Sequence, residues 1–399
     1  MKSSAAELEQ RVVISGIGRS QTGRRINRDS LELTVDSCLA AIADAGLRPS
    51  DVDGLITWPG ENVSPMAGFG GPGCATIQET LRLSLEWYCS GMEGLNVLGG
   101  VVAAAMAVAS GMCRHVLLVR TVTEATAQAG GGRQAAMGSR PGRSGGTTQW
   151  HLPYGSMSAA SWAAWQAQIH FDRYGMGRET LGAVAVNQRR NAALNEGAVF
   201  RTPLTMDDYM EARMISTPLC LFDCDVPADG SIAVVMSTVD HAGDTPSPAI
   251  AVEALGAARR GRAYWEQRAD MATMKAYDAA AQMWSRTTMT PADVDFAEVY
   301  DGFSIFTPAW LEALGLCGEG ESKDFIGDGS RISLQGELPV NTSGGQLSEG
   351  RFIGWGLLYE ACLQLRGQAG ERQVGRADVG VVGGGGGNVG QAILLRRFG

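Results

Sequence analysis

The sequence lacks several features that would mark particular functions. It has no cationic excess: 33 Lys and Arg stand against 42 Asp and Glu, a formal charge of −9. A protein whose main partner is nucleic acid needs a basic footprint, and none is present. The longest apolar run, VLGGVVAAAMAVASG (97–111), ends in Ser-Gly and reads as a buried helix, not a membrane span. The N-terminal MKSSAAELEQ has no apolar core, so no secretory signal is expected and the expected location is the cytoplasm. Eight cysteines occur, at 38, 74, 89, 113, 220, 224, 317 and 362, but Cys220 and Cys224 have no second pair to complete a zinc site. Reduced thiols and no metal centre are expected. A complete G-x-G-x-x-G is also missing: GIGRSQTG (16–23) breaks the pattern, and the five glycines at 383–387 precede no long helix. No nucleotide or redox cofactor is expected.

What the chain has is glycine, 54 residues in 399, and a 45% hydrophobic fraction, enough for a full core. VVISGIG (12–18) reads as a strand. Ser30 to Gly46 reads as a helix, with Leu31, Val35, Leu39, Ile42 and Ala43 at helical spacing and a glycine stop. RPSDVDGLIT (48–57) then turns into a strand. Downstream, a helix from Met274 to Thr288 leads into TPADVDFAEVY (290–300). At an offset of 242 residues, Pro49, Asp51, Val52 and Asp53 match Pro291, Asp293, Val294 and Asp295, and Asp36 matches Asp278. The match in the same helix–turn–strand context predicts a duplicated α/β half. Each half offers a second unit: WYCSGMEG (87–94), a helix to Gly111 and HVLLVRTV (115–122); then NTSGGQLSEG (341–350), a helix to about Gly367 and VGVVGGGGG (379–387). The expected division is residues 1–245 and 246–399, with an inserted cap at about 124–215 that holds one good helix near 158–172. Two strands around a turn at Ala228-Asp229-Gly230 are expected within 217–240.

Four segments are distinctive: LPVNTSGGQLSEG (338–350), QLRGQAGERQV (364–374), EVYDGFS (298–304) followed by LEALGLCGEGESKDF (311–325), and VVGGGGG (381–387). In these the chain resembles the thiolase superfamily, within it the sterol-carrier-protein-x-like branch that includes the lipid-transfer-protein-type steroid aldolases. The resemblance implies a thiolase fold, two similar βαβαβαββ halves in five αβαβα layers. It also implies a CoA thioester as substrate with no further cofactor, a homodimer, and a small OB-fold partner carrying a zinc ribbon.

The departures from that family bear on the chemistry. Its catalytic histidine falls on Arg351, and the asparagine of its N-E-A-F string on Tyr300. Its nucleophilic cysteine falls on Tyr88 or Gly94, depending on the alignment, and not on Cys89. The final catalytic cysteine falls on a valine such as Val381. The aldolase branch shares these losses, but it tends to carry tyrosine at position 351 and histidine at position 353. Here Arg351 and Ile353 stand there.

Tyr300 is the first catalytic candidate. A phenol is a poor base near neutrality unless a cation supports the phenolate, which Arg351 could supply. Arg351 is alternatively a ligand for the thioester oxygen or the partner of Glu349. Glu93 and Glu349 flank glycine-rich loops and are candidate general acids. His151, in WHLPYG, could reach the site from the cap, whereas His115 and His170 read as structural. Cys89 is a nucleophile if its loop is longer than usual, and otherwise a structural thiol. Asn341, Gly344, Gly345, Gly384 and Gly385 are candidate substrate or oxyanion contacts, the glycines through their backbone amides.

Three functions remain open at this level. One is a retro-aldol lyase that splits a β-hydroxyacyl-CoA, with a steroid side chain as leading substrate, into a ketone and a shorter acyl-CoA. The second is a Cys89-dependent acyltransferase. The third is a non-catalytic acyl-CoA-binding scaffold.

Overall fold

In a computed structural model, the protein is described at residues 6–60, 66–129, 152–156, 158–262 and 268–398. The N-terminal half builds strands β1 (Val12–Arg19), β2 (Gly54–Thr57), β3 (Trp87–Ser90), β4 (His115–Thr123) and β5 (Asp229–Thr238). The C-terminal half builds β6 (Ile250–Gly256), β7 (Phe296–Val299), β8 (Val379–Gly384) and β9 (Gln391–Arg397). They form one ladder in the order β3-β2-β4-β5-β1-β6-β9-β8-β7. The halves meet at a short antiparallel contact of β1 with β6, Val13 against Ala251 and Ile14 against Ile250.

Helix α1 (Ser30–Asp44) and helix α2 (Cys74–Leu81) cover the outer face of the first half. Asp29 caps α1 by accepting the Leu31 amide at 2.8 Å, which satisfies one of the helix's orphan donors. Helix α3 (Gly99–Ala109) is apolar on all sides and lies inside, together with α9 (Trp355–Arg366). Between them in sequence come α4 (Ala159–Tyr174), α5 (Arg178–Ala193), α6 (Lys275–Trp284), α7 (Phe306–Ala313) and the short α8 (Gly345–Ser348). Helices α6 and α7 cover the outer face of the second half. The layers are therefore helix, sheet, helix, sheet, helix, with α3 and α9 as the central layer. Most of the apolar α3 is buried accordingly, with Met106 as its exposed residue at 56%.

The internal repeat is physical. Pro49–Asp51 and Pro291–Asp293 both form a 3-10 turn. Asp53 accepts the amides of Arg114 (2.9 Å) and His115 (2.8 Å) at the start of β4. Asp295 accepts those of Asp378 (2.8 Å) and Val379 (2.9 Å) at the start of β8. Each aspartate thus pins the strand beside its own.

One expectation is corrected, and two segments gain a packing reason. Helix α9 is buried on nearly every face, and its polar residues are spent internally. Glu360 accepts from Arg372 Nη2 at 2.9 Å, and Arg366 donates to Asp44 at 2.6 Å. Ala228-Asp229-Gly230 is no turn, since Asp229 and Gly230 begin β5. The glycines of Gly16-Ile17-Gly18 serve packing: a Cβ at either would run into the backbone of α1, at Ala41 O and Ser37 O.

Among the described residues no helix is long and apolar enough to cross a membrane. Among the same residues no group of three or more His, Cys, Asp or Glu is placed to hold a metal ion.

Candidate active site

Strand β7 is parallel to β8, and its end delivers Tyr300-Asp301-Gly302 to the loops that precede α8 and α9. Two hydrogen bonds fix this delivery. The Tyr300 amide donates to Gly383 O at 2.8 Å. The Asn341 side chain accepts the Val299 amide (2.7 Å) and donates to Val299 O (2.9 Å). Asn341 is fully buried, and its carboxamide clamps backbone instead of offering donors to a substrate.

Asp301 accepts the amides of Gln346 (2.9 Å) and Leu347 (3.2 Å) at the start of α8. Gly344 and Gly345 are required there by contact. A Cβ at Gly344 would lie 2.5 Å from Ala192 Cβ, and one at Gly345 would run into Asp301 Oδ2. Both also have positive φ, 103° and 57°. Burial pushes the Asp301 carboxyl up to about 7, against the two amides that favour its charge.

Arg351 holds the centre. Its amide donates to Val226 O at 2.7 Å. Its guanidinium forks onto Glu124, Nε to Oε2 at 2.8 Å and Nη2 to Oε1 at 2.5 Å, and Nη1 lies 3.5 Å from Asp225 Oδ1. Arg351 and Glu124 are 3% and 1% exposed, so the bidentate pair is fully desolvated. The expected pairing of Arg351 with Glu349 is not made. Glu349 accepts instead from Arg19 Nη1 (2.6 Å) and Ser343 Oγ (2.5 Å).

Tyr300 packs beside Phe306, ring centroids 6.2 Å apart. Burial and then the Asp225 carboxylate raise its pKa above the ordinary phenol range, and Arg351 opposes them without winning. The Arg351 charge is already committed to two carboxylates. Tyr300 therefore stands as a protonated hydrogen-bond donor, which corrects the expectation of an arginine-supported phenolate base.

The remaining candidates do not join this cluster. The Glu93 side chain is 91% exposed, and its ion partner is Arg259 at 3.8 Å. Cys89 lies on β3, paired with Ile56, and not at the head of α3. Val97 and Leu98 occupy that head. Val97 has φ 51°, and its backbone carbonyl accepts Trp355 Nε1 at 2.8 Å. Tyr88 is 68% exposed on the same strand as Cys89. His151 lies outside the described residues. Gly384 and Gly385 have a packing reason: a Cβ at Gly384 would meet Leu98 at 2.9 Å, and one at Gly385 would meet Val389 O at 2.7 Å.

Sequence reasoning missed Glu124 and Asp225. Glu124 follows β4 directly and Asp225 stands four residues before β5, but both meet Arg351 only across the folded chain. Beside Asp225 opens a cavity of about 310 Å³ lined by Arg24, Arg189, Phe200, Phe222 and Leu347. Arg24 and Arg189 both lie against the Phe200 ring, 5.7 and 5.2 Å from its centroid. The wall is largely apolar, with a carboxylate at one edge, as a site for a bulky apolar ligand requires.

The family description "Thiolase C-terminal domain-like" matches residues 256–395. A steroid side-chain-cleaving aldolase of Thermomonospora curvata is 35% identical over 89% of this chain and 90% of its own length. A 17-hydroxy-3-oxo-4-pregnene-20-carboxyl-CoA lyase of Mycobacterium tuberculosis is 34% identical over 90% of this chain and 92% of its own. The solved Ltp2-ChsH2(DUF35) aldolase superposes with a TM-score of 0.86 at 31% identity, over 98% of each chain. With a duplicated α/β architecture, no thiol at the head of α3 and these relatives along almost its full length, the chain belongs to the thiolase superfamily, in the branch of the steroid side-chain-cleaving aldolases.

Proposed function

We propose that this enzyme cleaves a carbon–carbon bond in a steroid side-chain β-hydroxyacyl-CoA by a retro-aldol step, giving a ketone and a shorter acyl-CoA. The observation that carries this reading is Asp225, which lines an apolar cavity and is linked to Arg351 and, through its charge, to the protonated Tyr300 phenol. Asp225 takes the proton of the substrate β-hydroxyl. The C–O bond becomes a carbonyl, and the electrons of the breaking C–C bond pass to the α-carbon and the thioester oxygen. Tyr300 donates a hydrogen bond to that oxygen as charge develops. The proton on Asp225 then returns to the α-carbon, so atoms and charge balance without an added reagent. Placing a donor where charge develops is the largest single contribution in many such sites, roughly 3 kcal/mol for one donor.

Arg351 orients Asp225 and ties the β5 approach to the loop before α9. The Cys-dependent acyltransferase reading loses support because the head of α3 presents Val97 and Leu98. A homodimer is part of the proposal, supported by β3, a sheet-edge strand that leaves Tyr88 exposed. A small OB-fold, zinc-ribbon partner is proposed by analogy with the complex named for the solved aldolase. The cytoplasm is the proposed location.

The test is incubation of the purified protein, alone and with such a partner, with 17-hydroxy-3-oxo-4-pregnene-20-carboxyl-CoA. The expected result is equimolar 17-ketosteroid and propionyl-CoA without consumption of free CoA. Absence of both products under both conditions, or product formation only with added CoA, contradicts the proposal.

A further inference from the structure

Beside the Tyr300–Arg351 cluster lies a second arginine that the proposed steps leave unused. Arg120 is on β4, four residues before Glu124, and its side chain is fully buried. Its guanidinium lies 4.5 Å from the Trp58 ring centroid and 4.6 Å from that of Phe69. Nη1 donates to Trp58 O at 3.0 Å. Nε and Nη2 are buried and find no acceptor among the described residues. Buried donors without acceptors are rare, and for a charged group they are costly.

The nearest anion does not relieve this. Glu124 attracts Arg120 electrostatically, but both of its oxygens already accept from Arg351. Tyr300 also acts on Arg120, attractively in its ionised form, while Arg351 repels it. Burial pushes the Arg120 guanidinium down to about 9, so it remains a cation at neutral pH. Arg19 and Arg178 each leave only Nε without an acceptor among the described residues, whereas Arg120 leaves both Nε and Nη2. At Arg120 the fold supplies two aromatic rings, one carbonyl, and no acceptor for the other two donors.

We infer that Arg120 is a substrate-contacting residue whose unpaired N–H groups, with the Tyr300 hydroxyl, receive the thioester oxygen as it becomes an enolate. The aromatic rings orient a planar cation without neutralising it, which leaves its charge for a transient anion. Asp225 serves the hydroxyl end of the substrate and Arg120 the thioester end, so one acyl-CoA is read at both reacting atoms. This inference rests on the acyl-CoA lyase reading of the same site.

The experiment compares two probes by calorimetry on the full chain, with any partner needed for activity. One is propionyl-CoA. The other is its nitronate analogue, a stable mimic of the enolate. The wild type is expected to bind the nitronate at least about a hundredfold more tightly than propionyl-CoA, as a transition-state mimic does. In Arg120→Met that preference falls by roughly a hundredfold, propionyl-CoA affinity stays within about threefold, and kcat falls in parallel with KM little changed. Arg120→Lys, which keeps charge but not the planar fork, regains part of the preference. If Arg120→Met does not fold, the lysine variant carries the comparison, with a selective loss of at least about tenfold expected. Equal weakening of both probes, or a lowered melting temperature with the preference intact, overturns the inference and leaves Arg120 a packing residue. A wild type that binds both probes equally also overturns it, while the lyase reading stands. A wild type that binds neither overturns that reading as well.

Discussion

The two halves of this molecule repeat their scaffolding and diverge in their chemistry. Asp53 and Asp295 do the same work at corresponding strands. The heads of the two central helices are also alike. Val97 stands two residues before α3 with φ 51°, and Ile353 stands two residues before α9 with φ 53°. A β-branched residue in the left-handed region is a true outlier, costing about 1–3 kcal/mol, and such strain gathers at functional centres. The strained corners survive in both halves, yet neither presents a thiol or an imidazole. The ionisable groups lie beside the corners: Glu124, Asp225 and Arg120 from the first half, Tyr300, Asp301 and Arg351 from the second. The comparison teaches that the duplicated frame brings the loops together, and that the chemistry comes from pairs with no counterpart across the repeat.

If Arg351 is the central unrepeated tie, its removal has the largest effect. Arg351→Met strands Glu124 and Asp225 as buried, unpaired carboxylates and is expected to cost about 3–5 kcal/mol in a denaturant melt. Adding Glu124→Leu should recover part of that loss, and equal losses in the single and double variants would break the account of the pair.

The next effect concerns pH. Asp301 titrates at about 7 when folded and near 3.8 when free. The native state therefore binds more protons, and this contribution to stability is present at low pH and lost as pH rises from about 4 to about 7. The loss is about 4 kcal/mol, levelling above neutrality. Asp301→Asn removes that slope, and a melt series that shows the same slope in both proteins would contradict the burial argument.

The smallest effect sharpens the repeat itself. Asp53→Ala and Asp295→Ala each remove the charged acceptor of two strand-end amides and should each cost about 1–3 kcal/mol. Similar values support equivalence. A loss confined to one half would show that the matching sequence no longer means matching work.

Much of the frame was legible because it is local. The 242-residue offset, the glycine stop of α1 and the all-apolar run of α3 each reflect neighbours in sequence. The site was legible only in its second half, where Tyr300, Asp301 and Arg351 fall in recognisable strings. Glu124, Asp225 and Arg120 were invisible because their meaning depends on partners reached only through the fold. Glycine misled in a consistent way. Gly384 and Gly385 look ligand-facing in sequence, but the space their missing Cβ leaves is filled by Leu98 and Val389. Asn341 misled likewise, because its amide is used up on Val299.

The most direct test of the central claim is single-turnover cleavage of a tertiary β-hydroxyacyl-CoA by Asp225→Asn and, in parallel, by Cys89→Ala. The account predicts that Asp225→Asn slows ketone release by roughly 10²–10⁴ while substrate still binds, and that Cys89→Ala cleaves at the wild-type rate. Undiminished cleavage by Asp225→Asn, with activity abolished in Cys89→Ala, would contradict it.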